Sequence, residues 1–286
     1  MTRAVVFDEF GGPEVLRLAD VVVPDPGPGE LRIAVTRAGL NPVDAKIRRG
    51  GAVAEAFGAV LPSGNGNDFA GVVSAVGPGV TGVAPGDRVF GGRRFEAQAG
   101  EVVARTDQVL PTPDAVGDDV AGALWIAGRT ALAAVAAVAP GPDGTVLVSA
   151  AAGGVGVIAT QLALRTGARV IGTVGEANED FLRALGAEPV RYGDGLADRL
   201  RLLAPDGVTA VLDNEGAATL ATAVELGASH AGGADADIEQ LRELVELIAR
   251  GEVTVPIERV FPVDRVRDAY ELLEAGHLRG KILLAF

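Results

Sequence analysis

One stretch constrains this chain more than any other. Val146-Leu147-Val148-Ser149-Ala150-Ala151-Ala152-Gly153-Gly154-Val155-Gly156-Val157 reads as an apolar strand, a turn of small residues and the opening of a helix. A turn so poor in side chains lets backbone N–H groups approach a ligand. The helix that follows aims its positive dipole end at the same point. Together they make a cradle for an anion, and in a strand–turn–helix context the expected anion is the pyrophosphate of a dinucleotide.

The surrounding sequence supplies that context. Strands are predicted at Thr145–Ser149, Arg169–Thr173, Glu188–Arg191 and Gly207–Asp213. Between and after them, helices are predicted at Gly154–Thr166, Asn178–Leu185, Leu196–Leu203 and Ala217–Leu226. Such alternation implies right-handed crossovers and a parallel sheet covered on both faces, a doubly wound Rossmann domain. The next strand is hard to find: Gly227 to Asp237 reads as loop before a helix over Ile238–Arg250. The Rossmann domain is therefore expected to be shortened.

The first part of the chain has a different texture. It is rich in Gly, Pro and Val, with short apolar runs at Ala4–Phe7, Leu31–Ala38, Gly71–Val76, Arg88–Phe90 and Val102–Arg105. The run Val23-Pro24-Asp25-Pro26-Gly27-Pro28-Gly29-Glu30 cannot be helical. An irregular, mostly antiparallel β-rich domain is predicted. A helix over Gly122–Val138 joins it to the next domain, and short strands flanking a helix at Val263–Ala275 return the chain to it. The expected division is residues 1–115 with 252–286 for the β-rich domain and 116–251 for the nucleotide-binding domain. The overall class is α/β.

Composition narrows the function. A net charge of −13 gives no basic surface for nucleic acid or an anionic membrane. No apolar run reaches the roughly 20 residues of a bilayer span, and the start carries no signal-peptide pattern, so a cytoplasmic protein is expected. There is no cysteine, hence no disulfide and no thiolate-ligated zinc. The two histidines, His230 and His277, show no ligand spacing, and no metal is expected.

The glycine turn departs from the common GxGxxG form, having Ala150-x-x-Gly153-x-x-Gly156. With it, in order along the chain, come Asn41-Pro42-Val43-Asp44, Gly66-Asn67-Asp68-Phe69-Ala70-Gly71-Val72-Val73, Gly86-Asp87-Arg88-Val89-Phe90, Gly128-Arg129-Thr130-Ala131 and Leu272-Leu273-Glu274-Ala275-Gly276-His277-Leu278-Arg279-Gly280-Lys281. In these stretches the sequence resembles the zinc-free quinone oxidoreductase (zeta-crystallin-like) branch of the medium-chain dehydrogenase/reductase superfamily. The resemblance implies a GroES-like catalytic domain beside the Rossmann domain. It implies a nicotinamide cofactor in the cleft between them, with Asn41 and Thr130 orienting the nicotinamide. Where zinc-dependent relatives carry Gly-His-Glu, this chain has Gly66-Asn67-Asp68.

The resemblance also assigns cofactor contacts. The turn contributes Ala152, Gly153, Gly154, Val155 and Gly156; the ends of later strands contribute Thr173, Gly175, Arg191, Tyr192, Asn214 and Gly216; Lys281 completes the set with Asn41 and Thr130. NAD enzymes place an acid at the end of the second strand to bind the ribose 2′-OH. Gly175 stands there, and Tyr192 with Arg191 can meet a 2′-phosphate, so NADPH is favoured over NADH. The lysine that relatives carry nearby is replaced within Glu176-Ala177-Asn178-Glu179, which should make the preference modest.

Acid catalysis is scarce. Residues 1–191 contain no tyrosine, histidine or cysteine, and the polar candidates are Asn41, Asp44, Lys46, Asp68 and Thr130. Asn41, Asp44 and Thr130 are the expected catalytic set, although Asp44 can also serve simply to cap a helix that includes Lys46 and Ile47. A quinone needs little acid help because its reduced oxygens take protons from water, whereas an enone leaves an enolate to protonate. The expected activity is metal-free hydride transfer from NADPH to a quinone or α,β-unsaturated carbonyl. A biosynthetic enzyme acting on a polyketide-like intermediate, with or without net redox, would carry the same motifs. So would a non-catalytic NADPH-binding protein. The expected partner is a small-molecule substrate; a homodimer is compatible, though a shortened sheet weakens it.

Overall fold

The computed structural model describes residues 1–214, 229–231 and 236–286. The chain forms two compact units. One comprises Met1–Ile126, Ile257–Gly276 and Lys281–Phe286; the other comprises Ala127–Pro256 and His277–Gly280.

The first unit is built on a seven-stranded sheet. Its order is Ile257–Pro262, Lys281–Ala285, Glu30–Gly39, Asp68–Val76, Arg88–Gly92 and Val109–Pro111, with Glu101–Arg105 also paired to Glu30–Gly39. All pairings are antiparallel except that of Ile257–Pro262 with Lys281–Ala285. The long strand Glu30–Gly39 buries Leu31, Ile33 and Val35 and leaves the intervening residues half-buried, the period-two pattern of a strand with one face on the core. Its pairing with Asp68–Val76 shifts register twice, which bends the sheet. At Gly71 a Cβ would stand 2.1 Å from the Ala34 carbonyl oxygen, so only glycine permits this approach. A smaller sheet joins Arg17–Val21, Thr2–Phe7 and Ser63–Gly64.

The helix expected over Gly122–Val138 starts later, at Trp125. A four-residue helix, Asp118–Ala121, precedes it and ends at Gly122. The Ala123 and Leu124 amides then donate three residues back, to Val120 and Ala121, in a tight turn that separates the two helices.

The second unit carries five parallel strands among the described residues. Their order is Glu188–Arg191, Arg169–Val174, Thr145–Val148, Ala210–Leu212 and Ser229–Ala231. Leu147, Ile171, Val190 and Val211 from four of these strands form a core with Leu196, Leu200, Ala204 and Val208. The loop reading of Gly227 to Asp237 is corrected here, because Ser229–Ala231 pairs with Ala210–Leu212. Three residues register as a strand because their neighbour supplies the partners, and so brief a segment leaves no apolar run to recognise. A doubly wound dinucleotide fold ordinarily has six strands, so the sheet is one short among the described residues. The helix predicted at Ala217–Leu226 lies outside the described residues. The helix Ile238–Ala249 starts in a capping box: the Asp237 carboxylate accepts from the Gln240 amide at 2.9 Å, and the Gln240 side chain accepts from the Asp237 amide at 3.2 Å. No helix among the described residues is long and apolar enough to cross a membrane.

Candidate active site

The glycine turn follows the strand Thr145–Val148. Ala150 sits at φ +46°, in the left-handed region that glycine enters more readily than a residue with a Cβ. Two bonds to Thr173 hold it there: the Ala150 amide donates to Thr173 Oγ1 at 3.0 Å, and the Ala151 amide to the Thr173 carbonyl at 3.0 Å. Gly153 is the N-cap of the helix Gly154–Arg165, and no side chain caps that helix. The first-turn amides of Gly154, Val155 and Gly156 therefore have no carbonyl four residues back and no capping side chain. That is the donor set a pyrophosphate needs. The two outer glycines differ in purpose. A Cβ on Gly156 would lie 2.2 Å from the Ala150 carbonyl oxygen, whereas one on Gly153 would meet only that oxygen, at 3.2 Å. Gly156 is required by packing; Gly153 keeps the approach to the helix end open.

At the end of the strand Arg169–Val174 stands Gly175, and a Cβ there would lie 3.0 Å from the Tyr192 hydroxyl. Tyr192 is half-buried and shares a hydrogen bond with His277 Nδ1, the two rings stacked at 5.8 Å. Arg191 is engaged by acids: it donates to Glu179 at 2.5 Å and pairs with Glu176 at 3.2 Å. The Arg191 hydrogen bond, with one from Arg183, holds the Glu179 carboxyl below its ordinary range. Arg279 donates to the Asn178 side chain at 2.9 Å and to the Ala177 carbonyl at 3.1 Å, lying over the Phe181 ring. Asn214 donates from its backbone to Ser149 Oγ at 2.7 Å and from its side chain to the Ser149 carbonyl at 3.1 Å. Gly216 lies outside the described residues. Thr130 is half-buried on the helix Trp125–Val138. His277, Arg279 and Ser149 were not singled out as site residues from sequence, because each takes part through tertiary contacts no local pattern announces.

The first unit gathers a buried polar cluster. Asn41 precedes the helix Pro42–Arg49, and its amide donates to Asp44 Oδ2 at 2.8 Å, so Asp44 does cap this helix. Asp44 Oδ1 accepts from the Asn67 side chain at 2.5 Å. Lys281 donates to Asn41 Oδ1 at 2.5 Å and to the Leu40 carbonyl at 2.9 Å, with Asp68 Oδ2 3.5 Å away. Asp68 Oδ1 accepts from the Ile126 amide at 3.2 Å. All five side chains are buried. Burial, reinforced by the Asp68 charge, pushes the Asp44 carboxyl up to about 7 against the pull of its hydrogen bonds and Lys281. Burial raises Asp68 too, opposed by Lys281 and by the Asn41 amide close by, though that amide is outside hydrogen-bonding geometry. Asn41 Nδ2 and Asp68 Oδ2 are left without hydrogen-bond partners. Lys46, one of the polar candidates, is exposed.

Tyr270, far along the chain, also belongs to this unit. It is fully buried, and its hydroxyl accepts from Asn65 and Gln98, each at 2.8 Å. Burial, then the Asp44 charge, raises its hydroxyl well above the ordinary tyrosine range, so it stays protonated as an anchor.

Zinc does not suit this cluster. The carboxylates of Asp44 and Asp68 are answered by an ammonium group and amides, and no group of three His, Cys, Asp or Glu side chains that could hold a metal occurs among the described residues.

Two family profiles match the chain: "Alcohol dehydrogenase GroES-like domain" over residues 27–160 and "Zinc-binding dehydrogenase" over 98–284. A quinone oxidoreductase of Mus musculus is 39% identical over 178 residues, 61% of this chain; the match spans 53% of the mouse protein's length. The solved quinone oxidoreductase of Coxiella burnetii superposes with a TM-score of 0.89 at 33% identity, covering 100% of this chain and 99% of that one. A mycobacterial protein solved in complex with NADPH gives a TM-score of 0.89 at 30% identity, covering both chains fully. The chain, with its GroES-like unit, its parallel nucleotide sheet and its AxxGxxG turn, belongs to the quinone oxidoreductase branch of the medium-chain dehydrogenase/reductase superfamily.

Proposed function

We propose that the protein is an NADPH-dependent oxidoreductase that reduces a quinone or an α,β-unsaturated carbonyl without a metal. The observation that carries this reading is the uncapped helix at Gly153, reached through a turn in which a Cβ on Gly156 has no room. Such a helix end holds the pyrophosphate of a dinucleotide by backbone alone. A bound nicotinamide dinucleotide supplies hydride. Everything else in the reaction falls to the chain's own groups.

At the adenosine end, Gly175 withholds the carboxylate that would repel a 2′-phosphate, and the Tyr192 hydroxyl lies against it. Arg191 contributes little there, since Glu179 and Glu176 already share its charge. The preference for NADPH is accordingly modest, about tenfold. For the acceptor, Asn41 offers Nδ2 as a donor with no partner of its own, and Thr130 offers a hydroxyl. Asp44 works behind Asn41 by holding the start of its helix. Neither Asn41 nor Thr130 is an acid, so an acceptor whose reduced oxygens take protons from water suits the site best.

Titration of NADPH and NADH, followed by turnover with a simple quinone, tests the reading. Tighter NADPH binding and quinone-dependent oxidation are expected. Gly175→Asp should reverse the cofactor order, because its carboxylate displaces the Tyr192 hydroxyl and repels phosphate. Wild-type preference for NADH, or binding without turnover on any quinone or enone, would sink the proposal.

A further inference from the structure

The segment His277–Gly280 belongs to the second unit, although the residues before and after it belong to the first. It is fastened to both turns that meet a dinucleotide. Gly280 bridges Gly153 in a parallel β-bridge and donates to the Ala152 carbonyl at 2.7 Å. Arg279 donates to the Ala177 carbonyl and the Asn178 side chain on the loop after Gly175. His277 hydrogen-bonds Tyr192, whose hydroxyl lies 3.0 Å from the Cβ position of Gly175.

We propose that His277 is a specificity-determining residue for the 2′-phosphate, acting by positioning the Tyr192 hydroxyl over Gly175. The inference rests on the NADPH reading above. Three features support it. His277 is exposed and Tyr192 half-buried, so the pair stands where a ligand can reach the tyrosine hydroxyl. Its backbone sits at φ +59°, a conformation costly for a residue with a Cβ and typical of functional positions. Its ring also lies nearly parallel to Tyr192, with an interplanar angle of 21°, so the tyrosine is held in both distance and orientation.

The pairing has a definite sense once phosphate is present. A tyrosine hydroxyl has one proton to give. With that proton donated to a phosphate oxygen, the tyrosine oxygen becomes an acceptor, and His277 Nδ1 must carry hydrogen to keep the bond. The ring thus stands as a donor relay behind the hydroxyl. NADH, lacking the 2′-phosphate, makes no such demand.

The experiment measures dissociation constants of NADPH and NADH, and of their adenosine fragments with and without the 2′-phosphate, for wild type, His277→Ala, His277→Asn, Tyr192→Phe and the His277→Ala/Tyr192→Phe pair. Asparagine tolerates positive φ and retains a hydrogen-bonding group near the Nδ1 position, so His277→Asn keeps the fold and part of the effect. His277→Ala should weaken NADPH and the phosphorylated fragment about five- to tenfold and leave NADH within about twofold. The double variant should lose no more than Tyr192→Phe alone. Equal weakening of both cofactors in His277→Ala would mean a purely structural role and overturn the inference, as would an unchanged ratio in both His277 variants. A wild type with no preference for NADPH would overturn the parent reading, and this inference with it.

Discussion

Lys281 donates to Asn41 Oδ1 at 2.5 Å, a bond between residues 240 apart in the chain. An ammonium group can only donate, so the amide of Asn41 must present its oxygen to Lys281 and its Nδ2 elsewhere. The lysine thereby decides which end of Asn41 is left unpartnered, and that end is a donor.

Removing the ammonium should cost both stability and order. Lys281→Met leaves the Asp68 carboxylate, fully buried, without its cation, a loss of about 3–5 kcal/mol. Adding Asp68→Asn should recover much of that loss. Urea unfolding of the three proteins checks this through the midpoints at constant slope; a Lys281→Met midpoint equal to wild type would refute the buried pair.

Stability should fall as pH rises from about 4 to about 7. The Asp44 carboxyl is raised to about 7 in the folded chain against 3.8 ordinarily, so the folded state keeps a proton that the unfolded state has lost. Within that window the unfolded chain binds fewer protons, and the slope of stability with pH is negative; above it the penalty is complete, on the order of 4 kcal/mol. Asp118 and Glu188, held low by Arg88 and Arg169 together with other hydrogen bonds, act in the opposite sense but only below about pH 4.5. Denaturant unfolding at pH 5, 6, 7 and 8 reads the slope. Asp44→Asn should make it shallower, leaving what the raised Asp68 carboxyl contributes, while costing about 1 kcal/mol of helix cap.

The two glycines of the turn should separate packing from binding. Gly156→Ala drives a Cβ into the Ala150 carbonyl, and a destabilisation of about 1–3 kcal/mol is expected. Gly153→Val should remain folded and lose at least about tenfold in NADPH affinity. Thermal melts beside cofactor titrations distinguish them; full affinity in a folded Gly153→Val protein would move the nucleotide elsewhere.

Ala150→Gly should stabilise the chain by about 0.5–1 kcal/mol. The alanine occupies φ +46°, and relief of that conformation outweighs the extra freedom glycine brings to the unfolded chain. A lower melting temperature in this variant would mean that the alanine methyl is needed for packing.

What the sequence disclosed followed from how local each signal is. The strand–turn–helix at Thr145–Arg165 is written in consecutive residues, and its elements lie within a residue of the reading. Val-rich strands such as Glu30–Gly39 announce themselves by alternation. Ser229–Ala231 did not, since its pairing comes from Ala210–Leu212 and not from its own composition. Asn41, Asp44 and Asp68 were recognisable as candidates from their motifs, but their dependence on Lys281 needs the strand Lys281–Ala285 laid beside Glu30–Gly39. Tyr270 and His277 belong to the same class: each is an ordinary residue until the fold sets it against Asn65 and Gln98, or against Tyr192.

The strand Lys281–Ala285 lies inside its sheet, between Ile257–Pro262 and Glu30–Gly39. During synthesis, the first unit must therefore wait, its sheet open, while the 154 residues between Ile126 and Lys281 emerge. The stretch Ala127–Pro256 is continuous and can close most of its own contacts in the meantime. Loop-closure entropy makes such long-range pairing slow, and an open apolar sheet edge is exposed to misassembly until it happens. Both units are therefore finished by the same late stretch, His277–Gly280 closing onto the second and Lys281–Ala285 onto the first, so neither is whole until the last residues of the chain have been made.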